Sequence, residues 1–280
     1  MCTRTRKLHA PRLFKWERIY CNMHSPEVNE ELREALERSV DKYNRRSFIE
    51  EDPISIPHSF AKKEDIEIAA FLTATISWGN RKSILVSANR LMEYMDRSPY
   101  EFVLNAQPED FNSWKPSIHR TFMKEDVAFF IQALRRMYVE EGGMEGVFTQ
   151  GFSLGNSKEG IEFFRNKFIG NEAHRALKHV ASPERNSTAK RINMFLRWMV
   201  RNDKRGVDFG MWKGISPSQL SIPLDVHSGR TARMFSLLSR TQSDWKAVEE
   251  LDRNLRMYDS ADPVKYDFAL FGLSEAGFEK

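Results

Sequence analysis

Apolar residues recur at helical spacing along almost the whole chain. Val28, Leu32, Leu36 and Val40 stand four residues apart, so residues 27–45 read as a helix with one buried stripe. Pro53 and Pro57 break the pattern, and residues 46–63 read as a loop. Residues 64–78 (EDIEIAAFLTATISW) open with acids, which suit the positive end of a helix. They then run apolar on nearly every side, which puts this helix at the centre of the core. After Gly79-Asn80, the positions Ile84, Leu85, Leu91, Met92 and Met95 define a helix over 81–97 that Ser98-Pro99 stops. Val127, Phe130, Ile131, Leu134, Met137 and Tyr138 share one face of a helix over 125–140, ended by Gly142-Gly143. Ile161, Phe164 and Phe168 mark a short helix over 158–169.

The strongest amphipathic pattern covers residues 187–201 (STAKRINMFLRWMVR), with Ser187 placed to cap it. Ala189, Ile192, Phe195, Leu196, Met199 and Val200 form its buried stripe, leaving Lys190, Arg191, Arg197 and Arg201 on its other faces. Residues 202–224 hold three glycines and two prolines and read as a long ordered loop. Asp225 opens the next helix, whose apolar face is Val226, Ala232, Phe235 and Leu238. A helix over 243–257 follows, capped by Ser243 and burying Val248, Leu251 and Leu255. Finally, residues 262–273 (DPVKYDFALFGL) start with an Asp-Pro pair typical of a helix entrance. No strand-like alternation of useful length is present. The pattern predicts an all-α fold of about ten helices in one two-lobed globule with a cleft.

Composition supports that picture and narrows the chemistry. Of 280 residues 41% are hydrophobic, with 20 Phe and 12 Met, enough for a full aromatic-rich core; 14 Gly and 11 Pro are too few for a many-turn all-β design. The net charge of +4 is mild, but 43 Lys and Arg residues suffice for one basic face suited to a polyanion. Two cysteines, Cys2 and Cys21, make neither a zinc ribbon nor a disulfide framework. No apolar run approaches the roughly 18 residues that span a bilayer. The basic start MCTRTRKLHAPRLFKW leads into no apolar segment, so residues 1–25 are expected to be a basic arm and the protein cytoplasmic. His174 and His179 are spaced wrongly for one helix face, and Asp225 with His227 lacks a third ligand, so no metal or other cofactor is expected. No phosphate-binding glycine loop, nucleophile elbow or dinucleotide fingerprint occurs.

Two residues carry candidate chemistry. Lys190 falls in the first turn of its helix, where the helix's positive end and the flanking Arg191 both disfavour a charged amine; such a lysine is a nucleophile able to form a Schiff base. Asp225 sits at a helix mouth, which keeps a carboxylate ionised and able to support a developing cation. Read alone, each also fits a plain role: a solvated helix lysine and a helix cap. Arg191, His227, Arg230 and Arg233 beside them, with Ser187 and Thr188 in the preceding turn, suit a phosphate backbone.

The segment PLDVHSGRTAR (223–233) resembles the Val-Asp-Thr-His-x-x-Arg segment of helix-hairpin-helix DNA glycosylases of the endonuclease III type. That resemblance implies Asp225 as the catalytic carboxylate. AKRINMFLRWM (189–199) is similar to the lysine-bearing helix start of the archaeal 8-oxoguanine glycosylase branch, which implies Lys190 as the catalytic amine. KYDFALFGL (265–273) resembles that branch's final helix and implies that Asp267 and Phe271, one turn apart, hold an extruded base. TATISWGNRKS (73–83) resembles the segment that fills the gap left by the base; Gly79 or Asn80 falls at the filling position, followed by Arg81, and Trp78 joins the base pocket as a stacking or plugging residue. Nearly the full length also looks like a bacterial, Bacteroidetes-type family of unknown function.

The glycine pair of the glycosylase hairpin is missing from ASPERNSTAK (181–190), and two cysteines cannot supply an iron–sulfur site. The resemblance implies a two-lobed domain over 26–280, with lobes of roughly 64–180 and of 26–63 plus 181–280. The expected activity is excision of a damaged or modified base from duplex DNA with abasic-site lyase chemistry, by a nucleoid-associated monomer. A monofunctional glycosylase and a non-catalytic DNA-binding module remain as alternatives.

Overall fold

A computed structural model of the protein describes residues 28–170 and 173–275. The expected basic arm, residues 1–25, lies outside them. Eleven α-helices run through the described residues: α1 (Glu30–Tyr43), α2 (Lys63–Ile76), α3 (Arg81–Tyr94), α4 (Pro99–Asn105), α5 (Lys124–Glu140), α6 (Gly143–Phe152), α7 (Ser157–Ile169), α8 (Lys190–Val200), α9 (Val226–Met234), α10 (Trp245–Tyr258) and α11 (Tyr266–Glu275). The protein is mostly helical, as its periodicity predicts.

Helix α2 is buried from Ile66 to Ile76 on all faces and packs on α8 at the centre of the molecule. To one side α5, α6 and α7 pack together; to the other, α11 lies between α1 and α9. A chain of rings ties the centre: Phe71 of α2 meets Phe130, Phe164, Phe168 and Phe195, and Phe148 stacks on Phe164 at 4.3 Å. Helices α6 and α7 cross closely because both carry glycine at the crossing. A Cβ on Gly151 would lie 2.9 Å from the Gly160 Cα and 3.0 Å from its carbonyl oxygen. Gly151→Ala gains helix propensity of about 1 kcal/mol but forces two backbones apart, an overpacking penalty of about 1–3 kcal/mol. A net loss of stability is expected, checked by the shift in urea midpoint.

Several local expectations are corrected. Residues 46–63 are not loop throughout: three short 3-10 turns occupy Arg46–Glu51, Pro53–Ser55 and Pro57–Ser59. Gly142-Gly143 does not merely end a helix, since φ of +75° and +83° reset the chain for α6. Ser98-Pro99 starts α4 rather than stopping α3, which ends at Tyr94, ahead of left-handed Asp96 and Arg97. A hairpin of β1 (Ser117–His119) and β2 (Phe122–Met123), paired antiparallel with an irregular register, was not foreseen because it is too short to show alternation. The caps are Ala189 for α8 and Asp244 for α10, not Ser187 and Ser243. Val226 is 68% exposed rather than buried, because the Asp225 cap turns it outward. Arg197 and Arg201, read as surface charges, are buried.

Candidate active-site cleft

The start of α8 is built without the expected hydroxyl cap. Residues 182–187 form a tight turn through backbone bonds from Arg185 N and Ser187 N to Ser182 O, and Asn186 takes a left-handed φ of 64°. Ala189 then adopts φ 47°, which turns the chain sharply into α8 with Lys190 as its first residue. The Ser187 hydroxyl accepts from Ala189 N at 3.1 Å, and Thr188 O accepts from the Asn193 amide at 3.1 Å.

Asp225 arrives on an extended lead from buried Pro223 and Leu224 and caps α9. Its Oδ1 accepts from Ser228 N at 2.8 Å and from the Ser228 hydroxyl at 3.1 Å. That leaves Oδ2 to meet Lys190 Nζ at 2.8 Å. Burial works to raise the Asp225 pKa, but the Lys190 ammonium and the Ser228 bonds outweigh it and hold the carboxyl below its ordinary value. The two helix mouths therefore meet, with amine and carboxylate in contact.

The pair stands between two openings. On one side is a cleft of about 470 Å³, within the range of ligand pockets. Its walls include Phe48, Trp78, Met194, Phe268 and Phe271, and its polar groups include Asp52, Arg81, Arg197, His227 and Asp267. On the other side a groove of about 500 Å³ is lined by Gly79, Ser187, Thr188, Arg191, Val226 and His227, among others. Trp78 belongs to both walls and is fixed in place: His179 stacks on it at 5.8 Å and the Arg191 guanidinium lies 4.9 Å from its ring centre.

Asp267 and Phe271 both face the cleft from α11. Phe271 meets Phe48 edge-on at 5.7 Å and carries the Arg81 guanidinium 5.4 Å above its ring. Asp267 contacts Arg197 Nη1. Burial nevertheless pushes its carboxyl from 3.8 up to about 6 against the pull of Arg197. A carboxyl raised in this way stabilises the fold most when protonated, and that contribution is lost as pH rises through about 6. Wild-type stability minus that of Asp267→Asn is therefore expected to fall between about pH 4 and about pH 6. Urea midpoints at several pH values check this, and a difference that rises would contradict it.

The remaining predicted residues divide. Asn80 is exposed and caps α3 through Ser83 N at 3.2 Å; Arg81, His227 and Arg230 are exposed around the cleft and along α9. Arg191, on the wall of the second groove, and Arg233 also bond within the fold. Arg191 Nη1 donates to Thr75 O, and Arg233 donates to the carbonyls of Arg240 at 2.8 Å and Thr241 at 3.0 Å. Guanidinium groups bonded to backbone carbonyls in this way brace the fold.

Asp52 and Arg197 were missed as cleft residues. Asp52 caps the Pro53–Ser55 turn, accepting from Ile54 N at 3.0 Å, and burial raises its pKa. Its Asp-Pro dipeptide signals a turn, but nothing local shows that the turn borders a cleft. Among the described residues no cluster of three metal-ligating side chains occurs, and no helix is long and apolar enough to cross a membrane.

Residues 52–276 match the family described as "Protein of unknown function (DUF2400)", and the chain belongs to that family. No curated protein and no solved structure matches it.

Proposed function

We propose that this DUF2400 member is a DNA glycosylase with associated abasic-site lyase activity, on a two-lobed scaffold of the helix-hairpin-helix glycosylase type. The observation that carries the reading is the 2.8 Å contact between Lys190 Nζ and Asp225 Oδ2 on the wall of an aromatic-lined cleft. An amine beside a carboxylate, each at a helix start, is the pairing that the resemblance to the archaeal 8-oxoguanine glycosylase branch requires.

In the proposed reaction a nucleotide swings out of the duplex, at a cost of a few kcal/mol in lost stacking, and its base enters the cleft between Phe271 and the Asp267 carboxyl. Asp225 Oδ2 takes a proton from the Lys190 ammonium. The freed amine attacks the sugar C1′, and the C1′–N bond breaks with its electron pair leaving on the base. Asp225 hands that proton on to the departing base, and the carboxylate, charged again, stabilises the positive charge that develops on the sugar. Opening of the sugar ring gives a Schiff base between Nζ and C1′. Loss of a C2′ proton and cleavage of the C3′–O bond then nick the strand. Phosphates flanking the extruded nucleotide face the groove beside Ser187, Thr188 and His227, where the first N–H groups of α8 and α9 favour an anion.

The likeness to the archaeal branch points to an oxidised purine such as 8-oxoguanine as the base, and a hypermodified base fits the cleft's size as well. The test is base release, by chromatography, from duplexes carrying oxidised, alkylated, deaminated and hypermodified bases. Release of at least one with strand nicking supports the reading. Release without a nick supports the water-activating variant, in which Lys190 only pairs with Asp225. DNA binding with no release from any duplex supports a binding module and rejects the proposal.

A further inference from the structure

The turn between α2 and α3 reaches the mouth of the cleft with no side chain to extend from it. Gly79 has none, and the Asn80 amide oxygen is occupied by Ser83 N at 3.2 Å. A neighbouring element supplies what the turn lacks. The β1–β2 hairpin turns at exposed Arg120 and Thr121, and Arg120 Nη1 lies 2.3 Å from the point that a Cβ on residue 79 would occupy. With φ at +96° and a guanidinium over its Cα, position 79 admits glycine alone without displacement.

The hairpin is anchored for this placement. The His119 ring bonds Trp78 O through Nε2 and the Ser87 hydroxyl through Nδ1, each at 3.0 Å. Arg90 Nη2 donates to Ile118 O at 2.6 Å, and the Ser117 hydroxyl donates to Arg120 O at 2.9 Å across the turn. These bonds hold Arg120 at φ 51°, a left-handed conformation uncommon for a residue with a Cβ. Arg191 and Arg81 nearby are spent on Trp78 and Phe271. The Arg120 guanidinium meets no acceptor or ring among the described residues.

We propose that Arg120 enters the duplex beside the extruded nucleotide, filling the gap and bonding the orphaned base on the opposite strand. The proposal rests on the glycosylase reading above. A planar guanidinium suits the role: it stacks on base faces and offers several N–H donors to base acceptors, which an ammonium does not. A rigid hairpin tip at the cleft mouth delivers it without the ordering of a long loop.

The experiment compares borohydride trapping of an abasic site in duplex and in single-stranded DNA, where no gap or opposite base exists. In Arg120→Ala the ratio of duplex to single-strand trapping rates is expected to fall about tenfold or more, since the gap is then left unstacked. Arg120→Lys is expected to behave like the alanine variant, and both are expected to melt with the wild-type protein because the side chain is exposed. Equal loss on both substrates, no loss on either, or rescue by lysine would overturn the proposal in favour of a phosphate contact or none. If the wild-type protein traps neither substrate, the glycosylase–lyase reading fails first and the role of Arg120 fails with it.

Discussion

Replacing Lys190 with alanine is expected to abolish strand nicking and borohydride trapping, with a loss on the order of 10³-fold or more, the scale on which removed nucleophiles act. The fold should survive. The Lys190 and Asp225 side chains are 35% and 28% exposed, and ion pairs of this kind contribute about 0–1 kcal/mol. Asp225→Asn gives the informative contrast. Its amide oxygen still accepts from Ser228 N, so the α9 cap stays, but the charge opposite the sugar is gone. Rates of base release and nicking are expected to fall together in Asp225→Asn, while Lys190→Ala is expected to lose the nick most completely. Single-turnover assays on one lesion-bearing duplex check both, and undiminished trapping by Lys190→Ala contradicts the assignment.

The second large effect is on stability. Arg197 is 4% exposed and reaches Asp208 at 3.3 Å and Asp267 directly, with Phe268 packed 4.3 Å from its guanidinium. One turn on, Arg201 reaches Asp208 at 3.0 Å, Asp203 at 2.9 Å and Asp262 at 2.9 Å. Two buried arginines thus hold four carboxylates beneath the cleft and tie α8 to α11. Arg197→Leu leaves Asp267 without its guanidinium partner and Asp208 with Arg201 alone. Breaking a buried pair from one side costs about 3–5 kcal/mol, and that loss is expected in urea denaturation. The double variant Arg197→Leu with Asp267→Asn is expected to recover part of it, because it removes the stranded charge. A loss below about 1 kcal/mol for the single variant would show that the network does not hold α11.

These two residues also mark where the sequence is legible and where it is not. Helix α8 was readable because Ile192, Phe195, Leu196 and Met199 repeat at its period, and all are buried. Arg197 and Arg201 on the same helix were misread, since periodicity assigns charge to solvent. Two of their partners are distant: Asp267 lies 70 residues on from Arg197, and Asp262 lies 61 on from Arg201. No local pattern announces such pairs. Glu67 is similar, buried inside apolar α2 and satisfied by Tyr138 and Trp212 from other elements.

The site was legible in part for the same reason. Helix-start chemistry marks Lys190 and Asp225 one at a time, and only the resemblance suggested that they meet. Asp267 and Phe271 are named by the resemblance alone, with which their one-turn spacing on one helix agrees. Asp52 and Arg120 sit on short turns whose nearness to the cleft comes from tertiary packing of the 3-10 segment and the β-hairpin, so neither carried a readable signal.

The central claim is that the Lys190 amine, held against Asp225, is the nucleophile of this cleft. It is tested most directly by reducing the wild-type protein with borohydride in the presence of an abasic-site duplex and mapping the adduct by peptide mass spectrometry. A single adduct on Lys190 is predicted; no adduct, or one on another amine with Lys190 unmodified, would contradict the account.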